Sequence, residues 1–207
     1  MNWENWQKPD GWTLSALTEV ADVTMGQSPP GSTYNWNGTG LPFFQGKAEF
    51  GPDHPTVRKW CTAPTRIAEA GDILMSVRAP VGPTNIADQR SAVGRGLAVI
   101  HPGDDIPSSL LRHAIELQED EIASWGTGST FTAISKRHFH QIAVPLPPVQ
   151  ERERLAQMLD ASVALQRSSS GHLLRARRVI NRFRQALLAA ACSGRLTADW
   201  REQHGDT

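Results

Sequence analysis

Two hydrophobic regimes divide this chain. Up to about residue 144 the apolar positions fall in short blocks between turn residues, and from Leu155 they repeat at helical spacing. The segment 11–26, GWTLSALTEVADVTMG, predicts a strand or a short amphipathic helix ending at Gly26. Residues 27–40 hold two prolines and three glycines and predict a long turn-rich loop. LPFFQGKAEFG, 41–51, predicts a strand edge with a turn or bulge at Gly46. After a Gly71-Asp72 turn, ILMSV predicts a buried strand that stops at Arg78-Ala79-Pro80. GLAVIHP predicts another, ended by Pro102. From Ser108 to Ser124 a helical stripe of Leu110, Leu111, Ala114, Ile115 and Leu117 predicts one helix, capped by Asp105 or Ser108. A last strand is expected around Ile142–Val144, and His138 and His140 are read as alternating on a strand.

Pro147-Pro148 opens the second regime, since proline suits a first helical turn. Leu155, Met158, Ser162 and Leu165 step by three and four. Ser168-Ser169-Ser170-Gly171 predicts a kink or turn. Beyond it Leu173, Ala176, Ile180, Phe183, Leu187 and Ala190 continue the alternation, which is an a/d seam for helix packing, with Gly194 at a C-terminal cap position. A continuous helix over this stretch would measure roughly 65 Å at ~1.5 Å per residue. The alternative is a hairpin folded back at Gly171. The pattern therefore predicts an α+β chain: a body of short strands over 1–146, then a helical arm over 147–203 whose seam needs a partner.

Composition changes this picture little. The 207 residues suffice for one domain and an appendage, and no apolar run reaches the ~18 residues of a membrane span. The N-terminus has no basic start and no apolar core, so no signal peptide is expected and a cytoplasmic location is. Cys61 and Cys192 lie in different regions and read as reduced thiols. Charge is more informative. Residues 1–150 carry a balance of −4 and 151–207 a balance of +4. An acidic body supplies little of the phosphate contact on which nucleic-acid affinity rests.

Enzyme motifs are missing: there is no GxxxxGK[ST] phosphate loop and no HExxH. Gly126 and Gly128 read as loop glycines, and His138 with His140 are too few ligands for a metal. The polar turns carry more. Gln45 and Lys47 flank a glycine, and Arg78 ends a strand before a proline turn. Ser129 and Thr130 sit in a small-residue loop shortly before Lys136. Glutamine and arginine can read base edges, while hydroxyls and cations can hold phosphates. Against this, Arg78 can pair with Asp72, the hydroxyl cluster can be turn chemistry, and Trp36 and Trp60 can stack on bases or pack in a small core.

FFQGKAEFG, AGDILMSVRAPVG, VGRGLAVI, GTGSTFTAISK and IAVPLPPVQERERLAQ, with the closing RQALLAAACSGRLTADWRE, resemble in order the specificity subunits of type I restriction-modification systems. The resemblance covers about Trp12 to Glu202. It implies a non-catalytic target recognition domain followed by a spacer helix. The expected partners are double-stranded DNA, type I methyltransferase subunits and the helicase-nuclease restriction subunit. S-adenosylmethionine and ATP belong to those partners, so no cofactor or metal is expected here. It also implies that methyltransferase subunits wrap the DNA, which relieves an acidic body of most phosphate contact. Gln45, Lys47, Arg78, Ser129, Thr130 and Lys136 are the DNA-contacting candidates, and base choice can also lie in the less family-like loops Tyr34–Thr39 and Asp53–Arg66. Full-length members have two recognition domains and two paired helical regions. One of each here is similar to a half-subunit and predicts a two-fold homodimer, or pairing with a second half-subunit, reading two inverted copies of one half-site. The rivals are a stand-alone DNA-modifying enzyme and a decoy that occupies methyltransferase without reading DNA.

Overall fold

The computed structural model describes residues 3, 6–126, 133–192, 199 and 202, and in the last helix the side chains of 149–169, 175, 177–186 and 189. The chain forms two compact units, Met1–Leu159 and Asp160–Thr207. The fold is α+β.

The first unit is built on three sheets. The segment read as strand or helix is both: β1 (Thr13–Ala16), α1 (Leu17–Val20) and β2 (Ala21–Met25). The turn-rich 27–40 loop holds a 3₁₀ turn at Gly31–Thr33 and the two-residue β3 (Tyr34–Asn35). There follow β4 (Leu41–Phe44), β5 (Trp60–Cys61), β6 (Ile67–Ala68), β7 (Ile73–Ser76), β8 (Thr84–Ile86), β9 (Ser91–Val93) and β10 (Leu97–Pro102). Two short helices, α2 (Ser108–Glu116) and α3 (Glu119–Ser124), and β11 (Ala143–Leu146) complete it. The four-stranded sheet runs β2-β10-β7-β8, the five-stranded sheet β3-β5-β4-β9-β6, and β1 pairs β11. All pairings are antiparallel except β4 with β9.

The four-stranded sheet is buried on both faces, which is why its strands read as unbroken apolar runs. Ile73, Met75, Ala98 and Ile100 face a core shared with Leu111 and Ile115 of α2, Ile122 of α3 and Phe139. Leu74, Leu97 and Val99 face the opposite way, onto Phe44, Ala68 and Val93. Phe43, Cys61 and Ala92 form a third small core, so Cys61 is a buried free thiol.

Three expectations need correction. The 108–124 helix is broken at Leu117-Gln118. Leu117 is 54% exposed and lies off the stripe. Gln118 is buried, and its side chain bonds the Ala114 carbonyl and both backbone groups of Ala143, tying the break to β11. The α2 cap is Pro107 with no side-chain hydrogen bond, so neither Asp105 nor Ser108 caps it. His138 and His140 lie on a 3₁₀ helix, Lys136–Gln141, and not on a strand. There His138 Nδ1 accepts the Ser135 N–H at 3.0 Å.

Helix α4 (Val149–Cys192) begins in the first unit and supplies the second. No turn interrupts it at 168–171. Within the first unit Ala156 is buried, and Arg152 donates to the carbonyls of Pro147 and Asp105. In the second unit Val179, Ile180 and Phe183 are 65%, 64% and 68% exposed. Among the described residues no helix is long and apolar enough to cross a membrane.

Candidate nucleic-acid interface

Gln45 follows the last residue of β4, and the chain turns sharply after it. Glu49 Oε2 accepts the N–H groups of Gln45 and Gly46 at 3.3 and 3.0 Å, which fixes this turn and a 3₁₀ turn at Lys47–Glu49. Glycines back it: a Cβ on Gly96 would meet the Gln45 carbonyl oxygen at 2.1 Å. Lys47 is exposed at the tip. Its charge reaches Glu119, whose carboxyl burial pushes above the ordinary value while Lys47 pulls it back.

The turn after β7 lies opposite. Gln45, Gly46, Lys47, Glu49, Ala79 and Pro80 line one groove of about 520 Å³. Arg78, exposed at its edge, pairs its backbone with Ala133, and the Ile134 N–H donates to the Val77 carbonyl at 3.0 Å. Arg78 has no ion pair with Asp72. The two Asp72 carboxylate oxygens are taken by His101 and the Glu69 N–H. Lys136 is exposed at the start of the 3₁₀ helix two residues beyond Ile134. The structure thus brings Gln45 and Lys47 together with the Arg78 turn. Ser129 and Thr130 lie outside the described residues.

A further cluster beside this groove comes from the two less family-like loops, although the sequence pattern did not single out Lys59 within them. β3 pairs β5 with Asn35 opposite Trp60, which brings the loops 34–39 and 53–66 together. Lys59 Nζ lies 5.4 Å from the Tyr34 ring centre and 5.8 Å from that of Trp36, and donates to Gln45 Oε1 at 2.9 Å. Tyr34 packs on Phe43 at 4.7 Å. Trp36 is 72% exposed and is not a core residue. The spacing Tyr34-x-Trp36 puts two rings on one side of an extended segment and was the available signal. Nothing local points to Lys59, which arrives through strand pairing.

A second cleft of about 570 Å³ is acidic, lined by Glu19, Asp22, Asp104 and Asp105 with His101 and Arg152. The Asp72 hydrogen bond and charge lift His101 above the ordinary histidine value. Its negative lining repels phosphate. Among the described residues no three His, Cys, Asp or Glu gather as for a metal. Of the predicted seam, Ile180 and Phe183 are exposed together, and the side chains of Leu173, Ala176, Leu187 and Ala190 lie outside the described residues.

Comparison with known proteins places the chain in a family. Residues 9–170 match the family model described as the type I restriction modification DNA specificity domain. A Methanocaldococcus jannaschii protein, named as a candidate type I restriction enzyme MjaX specificity subunit, is 38% identical over 156 residues, 74% of this chain and 37% of that protein. A chain solved in work on complex assembly and conformational transition of the type I R-M system superimposes with a TM-score of 0.84 and 42% identity, over 91% of this chain and 47% of that one. The HsdS subunit from Thermoanaerobacter tengcongensis gives 0.70 and 44% identity, over 80% of this chain and 42% of that one. The chain therefore belongs to the type I restriction-modification DNA specificity domain family. It spans well under half the length of the curated relative and somewhat under half of the two solved chains.

Proposed function

We propose that this chain is a non-catalytic DNA-sequence-recognition component of a type I restriction-modification complex. Residues 1–146 serve as the target recognition domain, and 147–203 as the helical arm that assembles the complex. The partners in this reading are double-stranded DNA, methyltransferase subunits and the helicase-nuclease restriction subunit, in the cytoplasm. The observation that carries it is the family match, which runs unbroken from the strand-rich body into α4. The groove between the Gln45–Glu49 and Ala79–Pro80 turns, with Lys47 and Arg78 exposed beside it, is where the DNA contact belongs.

The exposed Ile180 and Phe183 supply the second element. Two large apolar residues on one turn of a helix favour burial against another helix. A second copy of this chain related by a two-fold axis provides one, and presents two like recognition domains. The target is then two inverted copies of one half-site.

One observation favours a different reading. The −4 balance of residues 1–150 suits a decoy that occupies methyltransferase without reading DNA. Footprinting of the chain reconstituted with methyltransferase subunits separates the two. Sequence-specific protection is the expected result, and a complex that forms without protecting any site would establish the decoy.

A further inference from the structure

We infer that Gln45 and Lys59 form a guanine-reading pair, in which residue 59 sets the hydrogen-bond polarity of the amide. This rests on the DNA-recognition reading above and goes beyond it by assigning a base.

An ammonium has only donors, so the end of the Gln45 amide facing Lys59 must be its oxygen. The 2.9 Å contact from Lys59 Nζ to Gln45 Oε1 therefore fixes the amide without reference to how its two ends are told apart. Lys59 is itself held by the Tyr34 and Trp36 rings. Gln45 Nε2 has no hydrogen-bond partner among the described residues and is not cut off from solvent.

The pair consequently presents donors: the Gln45 Nε2 hydrogens and the two remaining hydrogens of the ammonium. In the major groove guanine offers two acceptors, N7 and O6, whereas adenine offers one acceptor and one donor. A glutamine alone can bond adenine through both amide ends. Here the second lone pair of Oε1 lies beside a positive charge, which repels the adenine amino hydrogens and attracts the guanine oxygen. Gln45 lies in the segment that carries the family resemblance, and Lys59 in one of the less family-like loops. The same amide can thus read different bases according to its neighbour at 59.

The test is selection from a randomised duplex pool by the full chain reconstituted with methyltransferase subunits, using wild type, Lys59→Met, Lys59→Arg and Lys59→Glu. Thermal unfolding of each variant checks folding. The wild type is expected to select a site with a guanine in each half. Lys59→Met should lower the preference for guanine over adenine at that one position roughly 10-fold or more, the scale of one good bidentate contact. Lys59→Arg, still a donor, should keep guanine. Lys59→Glu should flip the amide and favour adenine or cytosine. An unchanged guanine preference in folded Lys59→Met or Lys59→Glu overturns the inference and leaves the recognition reading standing. So does a uniform loss across all sequences, the mark of a phosphate contact. A wild type that selects no sequence overturns both.

Discussion

Arg112 is 3% exposed and charged, so its partners decide whether it stabilises or destabilises the body. Its Nη2 donates to Asp53 Oδ1 at 3.2 Å. Its Nε lies 3.3 Å from Glu116 Oε1 in a contact that is Coulombic and not a well-aimed hydrogen bond. Burial pushes the Glu116 carboxyl up, but His113, Arg112 and the Thr84 hydroxyl together hold it below the ordinary value. Arg112→Ala removes the buried cation between two partly exposed carboxylates, of which Glu116 keeps His113 and the Thr84 hydroxyl, and should cost roughly 1–3 kcal/mol in urea unfolding. Trp36→Ala removes a side chain that is 72% exposed, so stability should stay within about 0.5 kcal/mol. DNA affinity should nevertheless fall about 5-fold, through loss of a ring that holds Lys59, in a filter or anisotropy titration. His101 provides a pH test. Its folded value is raised by Asp72, so its contribution is complete below about pH 6.5 and lost as pH rises through the folded value. His101→Gln should flatten unfolding free energy against pH across that window. At this scale the turns that carry Gln45, Lys47 and Arg78 were legible, because glycine and proline mark them, while their contact with DNA remains a proposal. Lys59 was not, because its partners Tyr34, Trp36 and Gln45 reach it only through sheet pairing.

The strands β7 and β10 were legible from apolar runs alone, because both faces of their sheet are buried. The break between α2 and α3 was not, since periodicity cannot register a buried glutamine that bonds across to β11. The serines and glycine at 168–171 predicted an interruption that α4 does not show. Each serine costs a helix well under ~1 kcal/mol and one glycine about 1 kcal/mol, which the many good helix formers around them outweigh. In the second unit the exposed Ile180 and Phe183 define a concrete experiment. Phe183→Asp should leave the unfolding free energy of the dilute chain within about 0.5 kcal/mol, since the ring is 68% exposed. Sedimentation should then show the variant as a single species at concentrations where the wild type associates. Equal association by both would remove this residue from the interface.

For the whole molecule, the acidic body and the polar groove are reconciled only if phosphate contact comes from elsewhere. A body at −4 with about four exposed or half-exposed polar residues around one groove is suited to choosing a sequence rather than to gripping phosphate. Under the proposed function the grip would fall to partner subunits, and the arm would serve to bring them. Composition alone counted against DNA recognition, and it was the family resemblance that implied partners to supply the phosphate contact. The proposed pairing rests on Ile180 and Phe183, the two seam residues seen to be exposed. Methylome sequencing of cells expressing this chain with a cognate methyltransferase subunit reads all of it at once. The account predicts one modified motif made of two inverted copies of a single half-site, held at constant spacing. An absence of motif-specific methylation, with both proteins present and folded, would contradict it.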